Sequence, residues 1–237
     1  MTLTPADWYD GFYGAKDYEA EAAAVMEVVD RLAPHATSLL DVACGTGRHL
    51  EHFAARFRCE GSDLDETMLA SARRRLPDVP FTQGDLVTLD LGRTFDVVTC
   101  LFSSIGYCRT PPRLAAAMSA LARHVNPGGV LVVEPWFTPE RWEDFGRVRV
   151  NVVEHGDTKA VRVIATSREE DVAVLRIHYV EARPGDIRHE DRREEFGLFT
   201  RERYVEAVAA TGLEPGWDDH GLTGRGLLTG RRVAAAS

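Results

Sequence analysis

The sequence predicts an α/β fold: a doubly wound, mostly parallel sheet with an inserted antiparallel β cap. Three observations carry that expectation. Short apolar runs alternate with helical patterns from residue 38 to residue 134. The first of those runs breaks at Gly45-Thr46-Gly47 before a helical pattern, giving strand, glycine loop and helix. From Gly146 to Leu198 the period changes to strict apolar/polar alternation, punctuated by Gly156-Asp157 and Pro184-Gly185-Asp186, which is the signature of a meander. With 237 residues, 44% of them hydrophobic, the chain is long enough for one sizeable core. The expected division is an N-terminal arm and ligand-binding core over 1–145, a cap over 146–199 and a return to the core sheet over 200–237.

Each element has its own signal. Trp8, Tyr9, Phe12 and Tyr13 fall at helical spacing, broken by Gly11 and Gly14. A helix is expected from about Tyr18 to Leu32, with an apolar stripe at Val25, Met26, Val28 and Val29, ended by Pro34. Leu39, Leu40 and Val42 make the first strand, and Leu50, Phe53 and Phe57 mark the helix after the glycine loop. Cys59 to Asp63 is the second strand, and Asp65 caps a helix from Glu66 to Leu76 that stops at Pro77. Val79 to Thr82 and Phe95 to Cys100 are the third and fourth strands. A helix from Pro112 to His124 follows, then a tight turn at Asn126-Pro127-Gly128-Gly129 and a fifth strand from Val130 to Glu134. After the meander, Thr200 caps a helix from Arg201 to Ala210 that Gly212 ends, and Leu222 to Gly230 is expected to form the final edge strand pair.

The glycine loop is a ligand site, because glycines at a strand's carboxyl end admit a ligand to the backbone and the helix start beyond offers amide donors. Its run is Asp41-x-Ala43-x-Gly45-x-Gly47, with Leu50 where a dinucleotide fingerprint has its third glycine and with Arg48 and His49 where a P-loop has its lysine. An acid opening the loop points to a cationic or hydrogen-bond-donating ligand. Asp63 lies 22 positions after Asp41, the spacing at which an acid meets a ribose. Here the sequence resembles the class I S-adenosylmethionine-dependent methyltransferases, whose sheet is Rossmann-like. On that resemblance Asp85, with Leu86 beside it, accepts the exocyclic amine of an adenine; by itself it is equally a turn aspartate. The arm aromatics are open to two readings, a staple onto the core or a lid over a bound cofactor with Tyr9 or Tyr13 facing the site.

Composition excludes other classes. Twenty-eight basic residues against 37 acidic ones give a formal charge of −9, the wrong balance for phosphate-rich nucleic acid. The arginines at 73–75 and 192–193 read as solvated faces. The first seven residues lack a basic and an apolar segment and no apolar run approaches ~18 residues, so a soluble, cytoplasmic protein without membrane contact is expected. Cys44, Cys59, Cys100 and Cys108 have no Cys-x-x-Cys spacing and read as reduced, and no metal set is expected around His49 and His52.

Further segments extend the resemblance over nearly the whole chain: Phe12-Tyr13 with Lys16-Asp17-Tyr18, Ser38 to Gly47, His49 to Phe53, Met68-Leu69 through Arg73 to Pro77, Gly84-Asp85, Phe102 to Tyr107, Val133 to Phe137, and Gly224 to Leu227. Together they resemble the nucleotide-linked amino-sugar N-methyltransferases, which act on dTDP-amino-deoxyhexoses in antibiotic pathways and often add two methyl groups. Thr223 stands where that family usually has serine, Phe137 where a second tryptophan is common, and Asp63 where it has glutamate. The resemblance implies S-adenosylmethionine as cofactor, held by Tyr9, Tyr13, Lys16, Asp41, Ala43, Gly45, Gly47, Asp63, Asp85, Leu86 and Leu101. It implies a nucleotide-sugar substrate met by Tyr107, Trp136 and Arg225, and a homodimer. Arg225 would clamp the diphosphate, its bland alternative being a surface arginine. Trp136 would pack on the sugar or thymine, or else join cap to core. Tyr107 is assigned to positioning the amine, since a phenol with a pKa near 10 is a poor base at neutral pH. His124 is either a base or a helix-end histidine that favours the dipole. The rival readings are methylation of another small metabolite at nitrogen or oxygen, and a non-catalytic cofactor-binding scaffold.

Overall fold

The computed structural model describes residues 5–142 and 148–234, with residues 5–7 described as backbone only. Its main sheet has seven strands: β1 (Ser38–Val42), β2 (Arg58–Asp63), β3 (Phe81–Gln83), β4 (Phe95–Cys100), β5 (Val125–Val133), β10 (Glu214–Asp218) and β11 (Leu227–Arg231). Their spatial order is β10-β11-β5-β4-β1-β2-β3, parallel from β5 to β3 and antiparallel at β11 and β10. The chain starts in the middle at β1, winds outward through β2 and β3, then crosses back to β4. The order reverses between β1 and β4, so a crevice opens outside the carboxyl ends of those two strands.

Alternation in the strands decides which side each helix covers. Leu39, Val97, Val130 and Val132 face α2 (Tyr18–Leu32) and α3 (Arg48–Phe53), packing on Val25, Val29, Leu50 and Phe53. Leu40, Val98, Leu131 and Val133 face α5 (Pro111–Arg123) and α6 (Arg201–Ala209), packing on Leu114, Met118, Leu121 and Tyr204. These side chains are almost wholly buried, each worth about 1.5–3 kcal/mol of apolar burial. α4 (Glu66–Arg75) begins where Asp65 accepts from Thr67 N, as expected of its cap. No helix among the described residues is long and apolar enough to cross a membrane.

The second sheet is the expected meander, with strands β6 (Arg149–His155), β7 (Thr158–Glu169), β8 (Val172–Arg183) and β9 (Asp186–Gly197) in sequence order, all antiparallel. Register puts Asn151, Arg162, Tyr179 and Glu190 in one cross-strand row and Arg149, Ile164, Ile177 and Arg192 in the next. That face looks onto the crevice. The boundary expected at 145/146, and the Gly146-Arg147 start of the meander, lie outside the described residues, as does the Met1–Thr4 segment.

Five expectations are corrected. Asn126 to Gly129 is not a turn ahead of the fifth strand but part of β5, where a register shift against Phe95/Val97 absorbs Pro127 and the left-handed Gly128 (φ +81°). A Cβ on Gly129 would sit 2.6 Å from Asp96 O, so the bulge needs glycine there. The edge pair is not 222–230: its first strand is β10, and 222–226 is a loop with Gly224 and Gly226 at positive φ. Gly11 does not break the arm, because α1 runs from Pro5 to Phe12. β3 starts at Phe81, two residues late, and α3 ends at Phe53.

Candidate active site

At the carboxyl end of β1 the chain turns left-handed at Ala43 (φ +59°), Gly45 (+56°) and Gly47 (+77°). A Cβ at Gly45 would meet nothing within 4 Å, so the turn faces open space. Asp63 at the end of β2 pins this turn: Oδ2 accepts from Gly45 N at 2.7 Å and Oδ1 from Asp65 N at 2.9 Å. Burial pushes its carboxyl above the usual value while those amide bonds pull it back. At the end of β3, Asp85 Oδ1 accepts from Val87 N at 2.8 Å, so the residue is a turn aspartate that also lines the crevice.

The end of β4 is strained. Phe102 (φ +53°) and Ser103 (φ +65°) are both left-handed without being glycine, a cost of about 1–3 kcal/mol each. Three bonds over-determine the geometry. Phe102 N donates to Glu134 Oε2 at 2.7 Å, Ser103 Oγ donates to Pro135 O at 2.7 Å, and Arg225 Nη1 donates to Ser103 Oγ at 2.8 Å. Glu134 is fully buried and its other oxygen accepts from Thr223 Oγ1 at 2.5 Å, with Arg225 Nη1 3.9 Å away. The guanidinium of Arg225 lies 4.8 Å from the Phe137 ring and 5.4 Å from that of Trp136. Trp136 stacks on Phe196 of β9 (4.4 Å, 20°) above Gly106, where a Cβ would come within 2.9 Å of it.

The arm and cap close the other sides. Asp10 of α1 accepts from Thr46 Oγ1 (2.6 Å) in the glycine loop and from Arg75 Nη2 (2.5 Å) of α4. Trp8 Nε1 donates to Glu181 Oε2 of β8 at 2.6 Å, and Phe12 packs on Tyr179 at 5.9 Å. Tyr13 meets the edge of Phe102 at 4.9 Å and Tyr9 at 4.7 Å. Arg162 of β7 lies under Phe12 and Tyr13 (4.7 and 4.6 Å), donates to Asn151 Oδ1 at 3.1 Å, and is 5% exposed. On β9, Glu194 Oε2 accepts from Tyr107 Oη at 3.2 Å. Tyr107 is 50% exposed on the cavity side; the protein atoms crowded around it, then the Glu194 charge and its hydrogen bond, push its hydroxyl above the ordinary phenol value. A cavity of about 1450 Å³ results, larger than the ~300–1,000 Å³ usual for one small ligand.

Of the residues expected from the sequence, Tyr9, Tyr13, Ala43, Gly45, Asp63, Asp85, Leu86, Tyr107, Trp136 and Arg225 line this cavity. Asp41, Lys16, Gly47 and Leu101 stand behind the lining. Asp41 is 2% exposed and accepts from Thr99 Oγ1 at 2.7 Å. Lys16 pairs with Glu21 and sits 4.4 Å over the Phe102 ring, while His49 Nε2 meets the other Glu21 oxygen at 2.9 Å. Gly47 opens α3, and Leu101 is packed in the core. His124 is a packing residue: Leu91 N donates to its Nε2 at 2.9 Å and its Nδ1 donates to Ala120 O at 2.7 Å, which fixes a neutral ring away from the cavity. Sequence reasoning assigned no role to Glu134, Arg162, Glu181 or Glu194. Strand alternation could have put the last three on one face of the cap, but nothing local marks what they meet. Among the described residues no cluster of three or more His, Cys, Asp and Glu is placed to hold a metal.

Residues 39–129 match a family of methyltransferase domains. Over 229 residues the chain is 44% identical to the dTDP-3-amino-3,4,6-trideoxy-α-D-glucopyranose N,N-dimethyltransferase of Streptomyces venezuelae, spanning 95% of this chain and 96% of that one. It is 46% identical over 217 residues to the dTDP-3-amino-3,6-dideoxy-α-D-glucopyranose N,N-dimethyltransferase of Streptomyces fradiae, covering 91% and 85%. The S-adenosylmethionine-bound amino pentose methyltransferase of calicheamicin biosynthesis from Micromonospora echinaspora is 40% identical and superposes with a TM-score of 0.84, over 98% of this chain and 99% of that one.

Proposed function

We propose a function from one premise: this chain belongs to the class I S-adenosylmethionine-dependent methyltransferases, among the dTDP-amino-sugar N,N-dimethyltransferases. It methylates the amino group of a dTDP-linked amino-deoxyhexose, twice in succession, in a secondary-metabolite pathway. The observation that carries this reading is a single cavity with carboxylates at two strand ends on one side and an aromatic-flanked arginine on the other.

The residues fit the cofactor. Gly45 leaves open space at the loop, and Asp63 and Asp85 with Leu86 line the cavity, where Asp63 would hold a ribose and the other two an adenine. Tyr9 and Tyr13 cover that half of the cavity, while Asp41, Lys16, Gly47 and Leu101 support the loop and the β4 end from behind. When bound, the cofactor supplies a methyl group activated on a sulfonium. The protein then has little covalent work to do: the neutral amine's lone pair forms the N–C bond as the C–S bond breaks, and an N–H proton leaves to water. Alignment is the main task, worth up to ~7–11 kcal/mol in well-oriented systems. Arg225 holds the diphosphate, Trp136 packs on the sugar or base, and Tyr107 orients the amine. The division 1–145, 146–199 and 200–237 is our working assignment of arm and core, cap, and return.

Two finer readings accompany this one. Free thiols at Cys44, Cys59, Cys100 and Cys108 support a reducing cytoplasm. A homodimer is supported by Val150 and Val152, 60% and 59% exposed on the outer face of edge strand β6; sedimentation of wild type and Val150→Lys tests it. The function itself is tested by mass spectrometry of a dTDP-amino-deoxyhexose incubated with enzyme and S-adenosylmethionine. One and then two methyl increments are expected. Methylation of a free amine or phenol with none on the nucleotide sugar would move the assignment to another small metabolite, and cofactor binding without any transfer would leave a scaffold.

A further inference from the structure

We infer that Glu194 is the carboxylate that receives the substrate's amino group and selects it over a hydroxyl, an inference that rests on the nucleotide-sugar reading above. Glu194 projects from β9 into the cavity between Phe196 and Arg192, its neighbours two residues away on the same strand face, with Tyr179 on the adjacent strand β8. Its neighbours on the same strand are neutralised. Glu195 pairs with Arg109 (2.9 Å) and Arg193 (3.0 Å), and Glu190 pairs with Arg192 (2.5 Å). Glu194 has no ion pair among the described residues; the groups that face it are the Tyr107 hydroxyl, the Tyr179 ring and Arg192, whose guanidinium is already engaged by Glu190 and lies 5.6 Å from Tyr179.

Glu194 is only partly buried, so water solvates its free lone pairs until a ligand displaces that water, and the carboxylate then favours a ligand that brings a cation or donor in its place. The substrate class brings one such group, an alkyl ammonium or its neutral amine, both hydrogen-bond donors. Tyr107 donates to Oε2 alone, which leaves Oε1 and the remaining lone pairs for the ligand. A sugar lying on Trp136 and Phe196 beside Tyr107 presents its polar substituent within reach of that oxygen. A hydroxyl at the same carbon donates one neutral hydrogen bond, whereas the ammonium donates a charge-assisted one. Tyr107 is then a positioning residue: it fixes the rotamer of Glu194.

The test is calorimetric titration of the S-adenosylhomocysteine-saturated protein with thymidine diphosphate, a dTDP-amino-deoxyhexose and the corresponding dTDP-deoxyhexose bearing hydroxyl in place of the amine. Wild type is expected to prefer the amino sugar by about tenfold or more. Glu194→Gln, which keeps shape and an acceptor, is expected to bring the two sugars within about threefold while thymidine diphosphate binds as in wild type, which also reports that the variant is folded. Tyr107→Phe is expected to weaken the preference less than Glu194→Gln does. Retention of the full preference by Glu194→Gln, or equal binding of both sugars by wild type, overturns the inference. Wild type that binds none of the three nucleotides overturns the nucleotide-sugar reading itself, and the inference with it.

Discussion

Asp41 holds a carboxyl with almost no solvent around it, between Thr99, which donates to it, and the nearby His49 charge. Burial outweighs both and pushes its pKa from 3.8 to about 6. Because the folded value is raised, the native state binds more protons through that window; Asp41's contribution to stability is full below pH ~4 and lost as pH rises through ~6. Between pH 5 and 7.5 that loss is about 1.4 kcal/mol, or roughly 3–6 °C in a domain of this size. Thermal melts of Asp41→Asn should therefore gain on wild type by that much across the interval, and a difference between the two that ignores pH would show that Asp41 does not titrate there. His124 works in the opposite sense: burial lowers its pKa below 6.5, so its share of stability is present above that value and lost as pH falls. Arg225 carries the second residue-scale prediction. Its guanidinium is committed through one nitrogen to Ser103, leaving other donors for a diphosphate. Titration of the S-adenosylhomocysteine-saturated protein with thymidine diphosphate should show Arg225→Ala binding at least about tenfold more weakly, a change of ~1.4 kcal/mol, with Arg225→Lys between the two because it keeps charge without the fork. Unchanged affinity in Arg225→Ala would remove the diphosphate from this side chain.

At the scale of elements, α1 is a cover fastened at both ends. Asp10 ties it to the glycine loop and α4, while Trp8 and Phe12 tie it to β8. The Asp10–Arg75 pair is about four-fifths buried, so its loss should cost about 1.5–3 kcal/mol rather than the few tenths of an exposed pair. Asp10→Ala is expected to speed amide exchange of residues 9–13 by about ten- to a hundredfold and to weaken S-adenosylhomocysteine binding, because Tyr9 lies on this helix and Tyr13, whose N donates to Tyr9 O, directly follows it. Exchange rates that do not change would mean that the cap alone holds the arm. The same logic explains the β4 end, where Glu134, just beyond β5, and Arg225 from the β10–β11 loop force two consecutive left-handed residues. Three elements distant in sequence stabilise a conformation that none of them would adopt alone.

At the scale of the whole molecule one enclosure spans the β1–β4 ends and the cap, and the proposed function puts the cofactor over the β1–β3 ends and the nucleotide sugar between the β4 end and the cap. S-adenosylhomocysteine at about a hundred times its Kd should stabilise by about 2.7 kcal/mol, raising the melting temperature by roughly 5–11 °C. Thymidine diphosphate added on top should give a second increment; none would mean that the two compete for one position. Much of this plan was legible in the chain. Ser38 to Gly47, the Asp63 spacing and Gly84-Asp85 are local signals, because a strand end, a left-handed turn and a helix cap are each set by a handful of consecutive residues. Period-two alternation likewise announced the antiparallel sheet. Three things were not legible. Asn126 to Gly129 has the composition of a turn, yet it lies within β5 because neighbouring strands bind it on both sides: Gly128 N donates to Arg232 O, and β4 shifts register to meet it. The edge pair drew its first strand from 214–218, since Gly221, Gly224 and Gly226 take positive φ to make the loop that presents Arg225. And the partners of Glu134, Arg162 and Glu194 lie on other elements. By itself the sequence determined the order of elements and the strand-end residues Gly45, Asp63 and Asp85 that line the cavity, because those depend on short-range periodicity and backbone preference. Only the tertiary structure decided which charges are left unpaired in the cavity, because charge pairing is settled by residues tens of positions apart that meet only when both sheets have closed around it.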